Sequence, residues 1–177
     1  IATLSNGNYV VGTPYWNNSG VAFAGAATWG SGTSGVKGVI SAGNSLVGTD
    51  SNQFVGGVLA LTNGNYVVGS SGGGLGCFTW ANGTTGIKGT VSAANSLMGS
   101  VSGDGYHANA IALSNGNYVI AMPYRDNGSI VDAGAVAWVN GATGAKGVLT
   151  NAMSLVGTKD GNFVGWPKVI ALSNGNY

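Results

Sequence analysis

The stretch Ala60-Leu61-Thr62-Asn63-Gly64-Asn65-Tyr66-Val67-Val68-Gly69 decides the fold class. Two short apolar runs flank an Asn-Gly dipeptide. Both of its residues tolerate the left-handed backbone that a tight turn between twisted strands requires, so the phrase predicts a β-hairpin. It returns as Ser5-Asn6-Gly7-Asn8-Tyr9-Val10, as Ser114-Asn115-Gly116-Asn117-Tyr118-Val119 and as Ser173-Asn174-Gly175-Asn176-Tyr177. Its Asn-Gly pairs are 57, 52 and 59 residues apart.

Other markers keep this phase. Trp29, Trp80 and Trp138 are each followed at one fixed distance by Gly35-Val36-Lys37-Gly38, Gly86-Ile87-Lys88-Gly89 and Gly144-Ala145-Lys146-Gly147. Ser45-Leu46-Val47-Gly48, Ser96-Leu97-Met98-Gly99 and Ser154-Leu155-Val156-Gly157 follow in turn. Markers in register over the whole chain define a tandem repeat, the signature of a solenoid, propeller or array. The repeats read as residues 1–55, 56–107 and 108–164, with residues 165–177 opening a fourth.

Each repeat reads as four short strands. Strand A is Val58-Leu59-Ala60-Leu61 and its copies, and strand B is Tyr66-Val67-Val68-Gly69 and its copies. Strand C carries the Trp, and strand D is assigned to Val36–Ile40, Ile87–Val91 and Ala145–Leu149. Strands A and B are almost continuously apolar, which predicts burial on both faces and a sheet stacked on each side. No segment shows a sustained helical period with caps. The expected fold is all-β, with each repeat a four-stranded antiparallel blade of the β-propeller type; a parallel β-solenoid is the alternative. Lys37, Lys88 and Lys146 would then guard an exposed outer edge against sheet-to-sheet pairing.

Composition narrows the function classes. The 177 residues include 34 Gly and 19 Asn, only 6% are charged, no Glu is present, and the net charge is +1. Nucleic acid and anionic membrane surfaces require clustered Lys and Arg, so neither is an expected partner. One Cys excludes a disulfide framework and a thiolate metal cluster. Mean hydropathy is +0.23, yet no apolar run approaches the length of a membrane-spanning helix, and the short, poorly alternating runs do not suit a membrane barrel. Acid–base chemistry would rest on His107 and five dispersed Asp residues, so neither catalysis nor a cofactor nor a metal is expected.

The flanks of the hairpins carry a resemblance. Phe54-Val55-Gly56 precedes strand A, and Val67-Val68-Gly69-Ser70 follows the turn. The corresponding pieces elsewhere are Tyr106-His107-Ala108, Phe163-Val164-Gly165, Val119-Ile120-Ala121-Met122-Pro123 and Val10-Val11-Gly12-Thr13-Pro14. A Phe-Gly element, a strand–hairpin–strand and then Gly-x-Pro resembles the FG-GAP blade of integrin-α-type β-propellers. The wording of the repeats also resembles tandem runs in large bacterial surface proteins of the filamentous-haemagglutinin kind. That resemblance implies secretion, a place at the cell surface or in an extracellular filament, and adhesive or structural roles without enzyme activity. Calcium-binding FG-GAP blades have an acidic loop between strands A and B; here the loop is Ser-Asn-Gly-Asn, so calcium is not carried over.

Candidate ligand residues lie in the loops between strands B and C. Tyr15, Trp16 and Asn17 match Tyr124, Arg125 and Asp126. Aromatic rings stack on sugar faces while Asn and Asp bond hydroxyls, so glycans are the candidate ligand and a multivalent lectin is the alternative function. Asp50, Asp104 and Asp160 read as turn residues, and Cys77 as a small core residue. The chain opens and closes inside the repeated phrase. It therefore reads as a piece of something longer, whose end repeats pack against neighbouring repeats or identical copies.

Overall fold

The computed structural model describes residues 1–71 and 74–177. The first repeat holds β1 (Ala2–Thr3), β2 (Tyr9–Thr13), β3 (Ala26–Gly30) and β4 (Leu46–Val47). The second holds β5 (Gly57–Ala60), β6 (Tyr66–Ser70), β7 (Cys77–Ala81), β8 (Gly89–Thr90) and β9 (Leu97–Met98). The third holds β10 (Asn109–Ala112), β11 (Tyr118–Met122), β12 (Ala135–Val139), β13 (Gly147–Val148) and β14 (Leu155–Val156). Among the described residues there is no α-helix, and so none long and apolar enough to cross a membrane. The three sheets run β1-β2-β3-β4-β8, β13-β9-β7-β6-β5 and β10-β11-β12-β14, and none closes into a barrel.

The hairpins form as the sequence predicts, with a three-residue loop. Gly64 N–H donates to Leu61 O (3.1 Å) and Leu61 N–H to Asn65 O (2.9 Å). Thr62 and Asn63 form the tip, and Gly64 takes the left-handed position (φ +87°) that a side chain would strain. The Asn63 side-chain oxygen accepts Asn65 N–H at 3.1 Å and closes the turn from within. Neighbouring tips then bond to one another. Ser5 Oγ donates to Thr62 O, Thr62 Oγ1 to Ser114 O and Ser114 Oγ to Ser173 O, each at 3.3 Å.

Strand D is where the structure departs from expectation. The fourth antiparallel strand of each sheet is the Ser-Leu-Val-Gly marker: β4 pairs with β3, β9 with β7, and β14 with β12. The Lys-bearing segment leaves its own repeat and pairs in parallel with the preceding one, β8 on β4 and β13 on β9. The cause is local. Gly86 and Gly89 have φ of +69° and +107°, and Gly144 and Gly147 have +68° and +93°. Two left-handed glycines three residues apart break an extended run and turn the chain away from strand C. In the first repeat Val36–Ile40, expected as strand D, forms no strand. Lys37, Lys88 and Lys146 are exposed, and the latter two sit beside the outermost strands of their sheets. Val169–Leu172, expected as a further strand A, also forms none.

Alternate residues of the apolar strands feed two cores. Tyr66, Val68 and Cys77 pack with Leu4, Val10, Ala27, Leu46 and Val91 between the first two repeats. Val67 and Phe78 pack with Tyr118, Ile120, Met122, Val139 and Leu149 between the second and third. A strand placed between two cores needs apolar side chains on both faces, which explains the absence of polar alternation. Cys77 is fully buried, in the small-residue role its position suggests.

The buried tyrosines make the fold alkali-sensitive. Burial pushes the Tyr66 phenol from 10.0 to about 12, opposed in part by a hydrogen bond with the backbone of Ile87. Burial raises Tyr118 as well. Below pH 10 the phenols are neutral in both folded and unfolded chains, and the full stability is present. Above it the unfolded chain ionises first, so stability falls by about 1.4 kcal/mol per pH unit for Tyr66 until its folded value is passed. Urea midpoints measured from pH 8 to pH 12 are expected to fall steeply in the upper half of that range, and Tyr66→Phe is expected to flatten the fall.

Candidate functional site: loop aromatics and repeat junctions

The loops between strands B and C in the first and third repeats are built bond for bond alike. Trp16 N–H donates to Thr13 O and Gly25 N–H to Trp16 O; Arg125 N–H donates to Met122 O and Gly134 N–H to Arg125 O. Asn17 Oδ1 accepts Phe23 N–H (2.8 Å), as Asp126 Oδ1 accepts Asp132 N–H (2.9 Å). Asn18 Nδ2 reaches Gly48 O and Asn127 Nδ2 reaches Gly157 O. These side chains hold the loop in shape.

Arg125 is buried (6% exposed). Its Nη2 donates to Leu149 O (3.0 Å) and its Nη1 to Asn151 Oδ1 (3.1 Å), which anchors the loop to the start of its own Ser-Leu-Val-Gly turn. Asp104 is buried too, at 1% exposure. One carboxylate oxygen accepts Ser100 N–H (2.6 Å), Ser100 Oγ–H (2.8 Å) and Val101 N–H (3.1 Å), and the other accepts Asp126 N–H (3.0 Å). Gln53 and Asn162 do the same work with amide oxygens in the other repeats. Asp160 Oδ1 accepts Val131 N–H. Both Asp104 and Asp160 thus serve turns and loops. Among the described residues no three His, Cys, Asp or Glu side chains gather as metal ligands.

The aromatics remain available. Tyr15, 72% exposed, packs edge-on to Phe23 (6.1 Å) and Phe54 (5.9 Å). Tyr124 stands in the same place two repeats on, against Phe163 (5.1 Å), Trp166 (6.1 Å) and Tyr106 (5.2 Å), with His107 closing the group against Trp166 (5.1 Å). Trp16 is half-buried and joins neither group. The sequence reading named Tyr15 and Tyr124 but missed their partners. The available signal was the Phe-Val-Gly phrase, which sets Phe54 and Phe163 in the loop leading into the next repeat. Phe23, Phe54, His107 and Phe163 have φ between +48° and +53°. Non-glycine residues in that region cost energy, and such strain concentrates where a surface is shaped for use.

The junctions between repeats form the second distinctive feature. Trp29 Nε1–H donates to Gly83 O and Trp80 Nε1–H to Gly141 O, both at 2.9 Å. Asn8 and Asn65 donate to the same two carbonyls. The Trp29 ring lies on Gly86 and the Trp80 ring on Gly144, where no Cβ could fit. With the parallel strand pairs, these contacts make each repeat complete the one before it.

Comparison with known proteins identifies the repeat. A family model described as a repeat of unknown function (DUF5650) matches residues 3–57, 60–108 and 112–166. The chain belongs to this repeat family. No curated protein and no solved structure matches it. Each DUF5650 match contains strand B, strand C and the Ser-Leu-Val-Gly strand of one sheet, and the parallel strands β8 and β13 are where one DUF5650 repeat reaches back to the last.

Proposed function

We propose that the chain is a non-enzymatic structural and adhesive repeat segment of a secreted protein, located at the cell surface or in an extracellular filament. The observation that carries this is the junction, in which the first and second repeats each borrow a strand from the next. A unit built this way is an array element, stabilised by its neighbours, and presents the same loops at regular intervals. Low charge and abundant Asn, Ser and Thr suit a long-lived exposed surface. Consecutive A strands also lie against one another, β1 on β5 and β5 on β10. That is how inner strands are arranged in a propeller, and it supports the FG-GAP-like blade reading.

The aromatic groups around Tyr15 and Tyr124 favour a second reading, multivalent glycan binding. Rings exposed on a rigid loop, beside Asn and Asp oxygens, suit a sugar's apolar face and hydroxyls. Beads coated with the protein are expected to adhere to cells or glycan-bearing surfaces. Under the lectin reading, Tyr124→Ala and Trp166→Ala lower glycan-array signal at least about tenfold while the melting temperature holds; under the purely structural reading the array is blank. Failure to adhere to any surface tested would remove the adhesive part of the proposal.

A further inference from the structure

The two internal junctions enclose the same cavity twice. At the first, Trp29, Val36 and Asn44 of one repeat and Thr85, Ile87 and Lys88 of the next line about 300 Å³. At the second, Trp80, Ile87 and Asn95 of one repeat and Thr143, Ala145 and Lys146 of the next line about 400 Å³. Each wall residue of the first cavity has its repeat equivalent in the second. Both volumes lie toward the lower end of the roughly 300–1,000 Å³ that small-ligand sites occupy.

The walls are fixed from within. Trp29 Nε1–H and Trp80 Nε1–H are already bonded to Gly83 O and Gly141 O, which leaves only the apolar ring to offer. Asn44 Nδ2 donates to Val39 O, and its Oδ1 accepts Ser41 N–H and Ser45 Oγ–H. Asn95 repeats these bonds with Thr90, Ser92 and Ser96. Gly86 and Gly144, against which the rings lie, donate their N–H groups to Asn82 O and Asn140 O.

The charge is one-sided. Lys88 is the only charged residue lining the first cavity and Lys146 the only one lining the second, and both are exposed. An ammonium has three donors and no acceptor, so a partner must bring acceptors, best of all an anion. The Trp ring, with Ile87 or Ala145, calls for an apolar face on the same ligand. Thr85 and Thr143 are exposed beside the lysines, so the rest of the ligand stays in water, which suits hydroxyls.

We propose that each junction cavity binds one acidic sugar unit, a hexuronate, with its ring face on the Trp and its carboxylate on the Lys. Both sites lie between complete neighbouring repeats and apart from the Tyr15 and Tyr124 loops. The inference rests on neither the adhesive nor the loop-lectin reading.

Titration of the whole chain with cellobiouronic acid, followed by the indole N–H resonances, tests it. The Trp29 and Trp80 signals are expected to shift saturably. Cellobiose, which has a hydroxymethyl in place of the carboxylate, is expected to bind at least about tenfold more weakly. Lys146→Gln removes the charge and keeps a polar side chain at the sheet edge. It is expected to keep the wild-type circular dichroism, to weaken binding at Trp80 at least about tenfold and to leave Trp29 unaffected. Lys88→Gln is expected to do the reverse, so each variant carries a control for folding in its other site. Lys146→Arg, which keeps a cation, is expected to retain binding, and added salt is expected to weaken it. Indole signals of Trp29 and Trp80 that do not move, cellobiose binding as tightly as the uronate, or Lys146→Gln binding at Trp80 like wild type would each overturn the proposal. A shift confined to Trp166 would also overturn it, while supporting the loop lectin; shifts at Trp29 and Trp80 with Trp166 unmoved would do the opposite.

Discussion

Gly141→Ala is expected to cause the largest loss of stability of any single methyl addition in this chain. An alanine Cβ there would lie inside the van der Waals envelope of Gly116 O, a backbone atom of the adjacent hairpin that cannot rotate away. Gly141 O is also the point on which Trp80 Nε1, Asn65 Nδ2 and Asn63 Nδ2 converge. Pushing it outward combines overpacking with the weakening of three hydrogen bonds, for a total of about 4 kcal/mol. Gly83→Ala meets Gly64 O in the same way at the first junction and should cost about as much. Gly128→Ala, at a glycine with no atom within 4 Å of the added carbon, is the comparison; it bears only the cost of its positive φ. Denaturant unfolding of the three variants checks this ordering, and a Gly141→Ala loss no greater than that of Gly128→Ala would contradict it.

Asp104→Ala should rank close behind. Three backbone N–H groups and one hydroxyl converge on this buried carboxylate, and alanine leaves all of them without their acceptor. Unsatisfied buried donors cost about 1–3 kcal/mol each, and water entering the collapsed site recovers part of that, so a loss of about 3–5 kcal/mol is expected. Gln53 and Asn162 hold the equivalent loops with one neutral amide oxygen each, so Asp104→Asn should recover the part of the stability held through Ser100 and Val101. It should still lose the bond from Asp126 N–H, which an amide NH2 cannot accept. An Asn variant as damaged as the Ala variant would show that the Ser100 and Val101 bonds contribute little without the carboxylate.

The repeat, the hairpins and the double-sided burial were legible in the sequence because each depends on local chemistry. Asn-Gly at a turn and an unbroken apolar run between two cores read the same in isolation as in the fold. The destination of the Lys-bearing segment was not legible. Val36–Ile40 and its copies look like strands, and only their pairing partner distinguishes a return to the same sheet from a reach to the preceding one. The two left-handed glycines in Gly-x-Lys-Gly were visible, but their φ values were not. In the candidate site, Tyr15 and Tyr124 stood out as aromatics next to Pro. Arg125 looked like a ligand contact because a polar residue in a loop carries no mark of burial. Its anchor, Leu149 O, lies 24 residues away. Phe54 and Phe163 were assigned to the repeat phrase, and their contact with the loop tyrosines required the third dimension.

The borrowed strand also governs how the array bears load. Leu46 is paired with Gly89 and Leu97 with Gly147, so each junction clasps a stretch of 43 or 50 residues. Under tension between distant points of the chain, that clasp must slide or part before the enclosed residues can extend. When it parts, the enclosed strands stay paired in their own sheet, β5 to β7 within the first stretch and β10 to β12 within the second, and yield length only as that sheet opens. The array therefore gives way in two stages at each junction, first the clasp and then the sheet behind it.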